Sequence, residues 1–138
     1  MNLAEFNKLK EIAKQDCEVS DDIISIAKQN NNLPSVIYRW QTLVAKQRWY
    51  VKSLQIDLNE LHSVLTTQYK LKDDILWTTA KELDTRINRD QSYIDKKREL
   101  LEQEWYLEFL EGVLFNVKEM RWTIRNYMEY YKTVNTNF

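Results

Sequence analysis

The sequence predicts an all-α protein, on two observations. The 138 residues contain one glycine and one proline, and sheets need turns that lean on those two residues for their special φ values. Apolar residues recur at spacings of three and four over two long stretches. The glycine shortage also bears on function, because phosphate-cradling loops and dinucleotide fingerprints need glycine at several fixed places.

Each element has its own local warrant. Asn2 followed by Glu5 is a capping-box pattern, and a helix is expected from Leu3 to about Gln15, with Phe6, Leu9, Ile12 and Ala13 on one stripe. Ser20-Asp21-Asp22 caps a second short helix carrying Ile23, Ile24, Ile26 and Ala27, and the run Gln29–Asn32 ends it. Pro34 fits the first turn of a third helix, where a missing N–H costs nothing. That helix runs to Lys72 on Val36, Trp40, Leu43, Val44, Val51, Leu54, Leu58, Leu61 and Leu65. In residues 73–92, Asp73-Asp74 caps a stretch through Ile75, Leu76, Trp77 and Leu83, and the polar run from Thr85 to Ser92 reads as loop. The last helix spans residues 93–133, and Val134–Phe138 is a frayed tail. The expectation is a single helical domain with short N-terminal helices in 1–33 and a basic helix in 34–72.

The final helix is apolar on two sides. Leu100, Leu107, Leu110, Leu114, Val117, Ile124, Met128 and Tyr131 form a heptad-like seam interrupted by Gln103 and Arg121. Tyr106, Phe109, Val113, Met120, Tyr127 and Tyr130 make a second stripe. One stripe suffices for a helix on one core. Two stripes imply either a central helix wrapped by its own chain or a second contact with another subunit, and so few helices favour the homo-oligomer. Gly112 lies inside this helix, where glycine costs about 1 kcal/mol against alanine, so a close approach by another helix, of this chain or of a neighbouring subunit, is expected there.

Net charge is −1, with 20 basic and 21 acidic residues. Residues 34–72 stand apart, with 6 basic and 2 acidic side chains. Tyr38, Arg39, Lys46, Arg48, Trp49, Lys52 and Lys70 lie away from that helix's apolar face. Cations interleaved with aromatics suit single-stranded nucleic acid, with phosphates neutralised and bases stacked. An ordinary solvated face with Trp49 and Tyr38 in a second hydrophobic contact has the same composition, and residue types leave both readings open. Arg86 and Arg89 are equally open between phosphate contacts and plain surface charge. His62 is the one histidine and Cys17 the one cysteine, too few for a zinc site or a nucleophilic triad. The acidic residues of the last helix alternate with Lys and Arg, as on a solvated face. The chain is therefore expected to be no enzyme and to use no cofactor or metal. Without a signal segment or an apolar run of membrane length, a cytoplasmic location is expected.

The stretch Tyr106-Leu107-Glu108-Phe109-Leu110-Glu111-Gly112-Val113-Leu114, followed by Trp122-Thr123-Ile124-Arg125-Asn126-Tyr127-Met128-Glu129, resembles the C-terminal helix of the UvsY-like recombination mediators of large tailed phages. Trp40 leading into a basic helix that ends at Tyr69-Lys70 is similar to the middle of that family. The resemblance implies an all-helical, non-enzymatic mediator that forms rings through its C-terminal helix. It implies binding of single-stranded DNA and loading of a RecA-like recombinase onto strands covered by single-strand binding protein, in the host cytoplasm. On that basis Arg39, Lys46, Arg48, Trp49, Lys52, Tyr69, Lys70 and Lys72 are the DNA-binding candidates. Leu107, Leu110, Gly112, Leu114, Val117, Ile124 and Met128 are the assembly candidates. The family's Lys-x-Arg pair before the tyrosine falls here at Ser63 and Leu65, which leaves Lys52, Lys70 and Lys72 as substitutes, or weaker binding. The alternative from another class is a helical structural or adaptor protein that never touches DNA.

Overall fold

The first helix starts where its capping box sits. Asn2 accepts the Glu5 N–H at 2.8 Å, and the Glu5 carboxylate accepts the Asn2 N–H at 3.3 Å, so two N-terminal donors are satisfied. The computed structural model describes residues 1–73 and 79–136, leaving out the side chains of Lys72, Asp73 and Thr136, and within it four helices follow one another: α1 (Leu3–Asp16), α2 (Ile23–Asp73), α3 (Ala80–Arg89) and α4 (Gln91–Thr136). The described residues contain no strand.

α2 differs from expectation. The Asn-rich run does not end a helix and Pro34 does not begin one; both lie inside a single helix of 51 residues. Its start is the expected acidic cap, with Asp22 accepting the Ser25 N–H at 3.2 Å and the Ser25 hydroxyl at 2.9 Å. Pro34 has no N–H to give the Asn30 carbonyl, a cost of roughly 3 kcal/mol inside a helix. Burial opposes that cost. Ile26, Leu33, Ile37, Trp40 and Val44 recur at helical spacing across the break and are all buried, each contributing about 1.5–3 kcal/mol on full burial. The stretch from Thr85 is likewise helical rather than loop, because Ile87 turns into the interior and is fully buried. The proposed cap and apolar run from Asp74 to Trp77 lie outside the described residues. α4 continues through Thr136, past the start of the expected frayed tail, and residues 137–138 lie outside the description.

The chain divides into two compact units, Met1–Gln47 with Tyr106–Phe138, and Arg48–Trp105. In the first, Ala13 of α1, Ile26 to Val44 of α2 and Leu110, Val113, Val117, Met120 and Ile124 of α4 make one core. Phe6 of α1 stacks against Tyr106 and Phe109 with ring centroids 4.7 and 5.0 Å away. Asp16, at the end of α1, accepts the Trp40 indole N–H at 2.8 Å and pairs with Arg39. Tyr127 of α4 donates to the Asp21 carbonyl at 3.0 Å, holding the α1–α2 turn.

In the second unit α2 and α4 run antiparallel. Tyr50 donates to Glu99 at 3.3 Å, Lys96 faces Asp57 at 3.9 Å, and the Tyr69 hydroxyl donates to Asp90 at 2.7 Å. Asp90 is also the N-terminal cap of α4, accepting the Ser92 N–H at 3.0 Å. His62 sits at the edge, 3.5 Å from Asp84 and edge-on to Tyr93.

Candidate nucleic-acid interface

The basic-aromatic residues of α2 fall in both units. In the second unit Arg48, Trp49 and Lys52 are exposed, and Trp49 is 75% exposed, so its indole is not held in a second hydrophobic contact of this chain. Lys52 lies one turn from both Arg48 and Trp49, which puts the three side chains on one surface. Lys70 follows 18 residues after Lys52, five whole turns or about 27 Å along the axis, so it returns to the same face. Ile56, Asn59 and Ser63 are exposed between them. Of the two places where the family's basic pair falls, Ser63 is exposed and its hydroxyl donates to the Asn59 carbonyl at 3.2 Å, while Leu65 is buried. No cation could stand at Leu65 without losing that packing.

Other candidates are engaged elsewhere. The Tyr69 hydroxyl is committed to Asp90, and that bond, then desolvation and the carboxylate charge, pushes the phenol above its ordinary value. Asp90 is held low by bonds from Ser92 and Tyr69. The side chain of Lys72 lies outside the described residues. In the first unit Lys46 is exposed, as is Tyr38 at 71%. Arg39 is half exposed but paired with Asp16, an acid 23 residues away that its neighbours in sequence do not announce. Arg86 and Arg89 are exposed in the last turn of α3, where cations complement the helix dipole. Cys17 is half-buried against the core, and its thiol is pushed up by burial and then by Asp16, an environment that suppresses thiolate chemistry.

The assembly candidates on α4 turn inward. Leu110, Val117 and Ile124 are fully buried in the chain's own core, and Leu107, Leu114 and Met128 are half-buried against it. The second stripe is covered too: Tyr106, Val113 and Met120 are buried, and Phe109 and Tyr127 are half-buried. Between Tyr106 and Met128 most of both stripes is covered within the first unit, where α1 lays Phe6 on Tyr106 and Phe109, while their ends at Tyr130 and Tyr131 are exposed. No helix of this chain approaches Gly112: it is exposed, and a Cβ added there meets nothing within 4 Å. The most exposed apolar residues of α4 are Leu101 and Trp105 in the second unit and Phe115, Trp122 and Tyr130 in the first, and of these only Tyr130 belongs to either stripe. The sequence signal for Phe115 and Trp122 was their heptad spacing, masked by two richer stripes alongside. Basic residues 121, 125 and 132 also share one side of α4 in the first unit, at spacings of four and seven that place them on one helical stripe.

The comparisons with known proteins bear on the fold. The chain matches the crystal structure of the bacteriophage T4 recombination mediator protein UvsY with a TM-score of 0.81 and 16% identity, over 96% of this chain and 98% of that one. No family model matches the sequence, and no curated protein matches it. The resemblance read from the C-terminal pattern is thus met at the level of fold, end to end.

Proposed function

We propose that this protein is a non-enzymatic recombination mediator, which binds single-stranded DNA and helps load a RecA-like recombinase onto strands covered by single-strand binding protein. The observation that carries the reading is the end-to-end structural match to a phage recombination mediator at a TM-score of 0.81. The exposed set Arg48, Trp49, Lys52 and Lys70 supports it, since it offers phosphates several cations and a base one indole. Among the described residues no helix is long and apolar enough to cross a membrane, and the proposed place of action is the host cytoplasm.

The protein acts as a homo-oligomer in this reading, so that many copies of a weak surface make a tight one. The contact between copies is assigned to the surface of α4 around Phe115, which is 63% exposed, in place of the inward seam. Fluorescence anisotropy with a labelled oligothymidylate tests the DNA reading. Binding is expected at low salt and should fall steeply as salt rises. Trp49→Ala should cost about 1–3 kcal/mol, the usual worth of one base–aromatic stack. An absence of binding at low salt would favour the adaptor alternative.

A further inference from the structure

The end of α4 carries a second basic-aromatic surface. Asn30 of α2 and Arg121, Trp122, Arg125, Glu129 and Lys132 of α4 line a cleft of about 380 Å³ within the first unit. Trp122 is 58% exposed, and the Arg125 guanidinium lies over its ring, 5.8 Å from the centroid. Arg125 also pairs with Glu129 at 3.3 Å. The cleft therefore brings Arg121 and Arg125 together beside the Glu129 carboxylate, with Lys132 on the same lining, in a chain whose net charge is −1. Arg121 and Arg125 stand one turn apart, where like charges on a helix repel, and Arg121 has no ion-pair partner among the described residues. An anion seated between them relieves that repulsion. The volume is near the lower end of small-ligand sites, enough for one nucleotide unit and too little for a folded protein element. An acidic peptide would answer the cations but has no general use for a half-open indole, whereas every base has a face that stacks on one.

We infer that this cleft is a second contact for single-stranded nucleic acid, distinct from the α2 face, in which Arg121, Arg125 and Lys132 hold backbone phosphate and Trp122 takes a base. The inference rests on the proposed DNA-binding reading, and its test separates the two. Arg121→Ala/Arg125→Ala and Trp122→Leu are compared with Trp49→Ala and with the natural chain. Oligothymidylate affinity is read by anisotropy across salt concentrations, and helix content is read by circular dichroism. These side chains are exposed, so the fold should persist, and Arg121→Lys/Arg125→Lys, which keeps both charges, should recover part of the affinity. The double alanine variant should bind about 10-fold more weakly at moderate salt, and its salt slope should be shallower by about 1.4, two single-strand phosphate contacts at about 0.7 each. Trp122→Leu should bind about 5-fold or more weakly. Photocrosslinking of a 5-iodouracil oligonucleotide should label Trp122.

Cleft variants that bind like the natural chain, while Trp49→Ala weakens binding, would overturn the cleft and leave the α2 reading intact. Loss in the cleft variants but not in Trp49→Ala would support the cleft and remove the α2 assignment. A natural chain that binds no oligothymidylate at low salt overturns both. Cleft variants that keep DNA affinity but lose binding to a polyglutamate peptide would overturn the nucleic-acid assignment in favour of an acidic polypeptide.

Discussion

At the scale of single residues, Asp16 does more than its place at a helix end suggests. Trp40 is fully buried, and its one polar atom is satisfied by Asp16 at 2.8 Å. Asp16→Ala leaves a buried indole N–H without its acceptor, which costs about 1–3 kcal/mol. Urea unfolding should show a lower midpoint with an unchanged m value, and Asp16→Asn, which keeps an oxygen, should lose less. The Tyr69–Asp90 bond makes a second prediction. The Asp90 carboxyl lies below its ordinary 3.8, so its contribution is complete above that value and is lost as pH falls through the lower folded one. The Tyr69 phenol lies above its ordinary 10.0, so its contribution is complete below that value and is lost as pH rises through the raised one. The stability deficit of Tyr69→Phe should therefore be flat between those two ordinary values and narrow on both flanks. A deficit that stays unchanged through both flanks would assign the effect to packing of the ring instead.

At the scale of elements, what was legible in the sequence is what is encoded locally. The capping box at Asn2 and Glu5, the cap at Asp22 and the apolar spacing of α2 each sit within a few residues of the structure they specify. The continuity of α2 through Asn30 and Pro34 was not legible, because it depends on burial of Leu33 and Ile37 against α4 residues far along the chain. Propensity yields to such packing routinely. Pro34 itself is exposed, so Pro34→Ala should restore the missing helical bond without disturbing the core. A gain of about 1–3 kcal/mol in stability is expected. A loss would mean that a bend at Pro34 is needed to seat Leu33 and Ile37. The same long-range logic hid the fate of α4. Two apolar stripes left open whether the second contact is within the chain, and most of both is covered by the chain's own first unit, with α1 on Tyr106 and Phe109. On the candidate site, the exposure of Trp49 and Lys52 was readable from periodicity, whereas the tie from Arg39 to Asp16 spans 23 residues and was not.

At the scale of the whole molecule, the question is what the outward side of α4 does once the seam is spent on the chain's own core. Phe115 is 63% exposed on a helix whose inward positions are already filled. The homo-oligomer reading proposed above makes this ring the first candidate for the contact between copies. Two substitutions on α4 separate folding from assembly. Leu110→Ala removes a fully buried side chain and should cost about 2–5 kcal/mol of stability, with the subunit number unchanged wherever the protein remains folded. Phe115→Asp removes nothing from the core, so thermal stability of the single chain should hardly move while native mass falls toward that of one chain. Sedimentation reads the mass and circular dichroism reads the fold. Binding of long oligonucleotides should then weaken more than binding of short ones, because short strands engage one copy and long strands engage several. Equal mass for Phe115→Asp and the natural chain would remove Phe115 from the interface. Equal weakening for long and short strands would separate DNA binding from assembly, and the surface on each copy would then have to hold DNA alone.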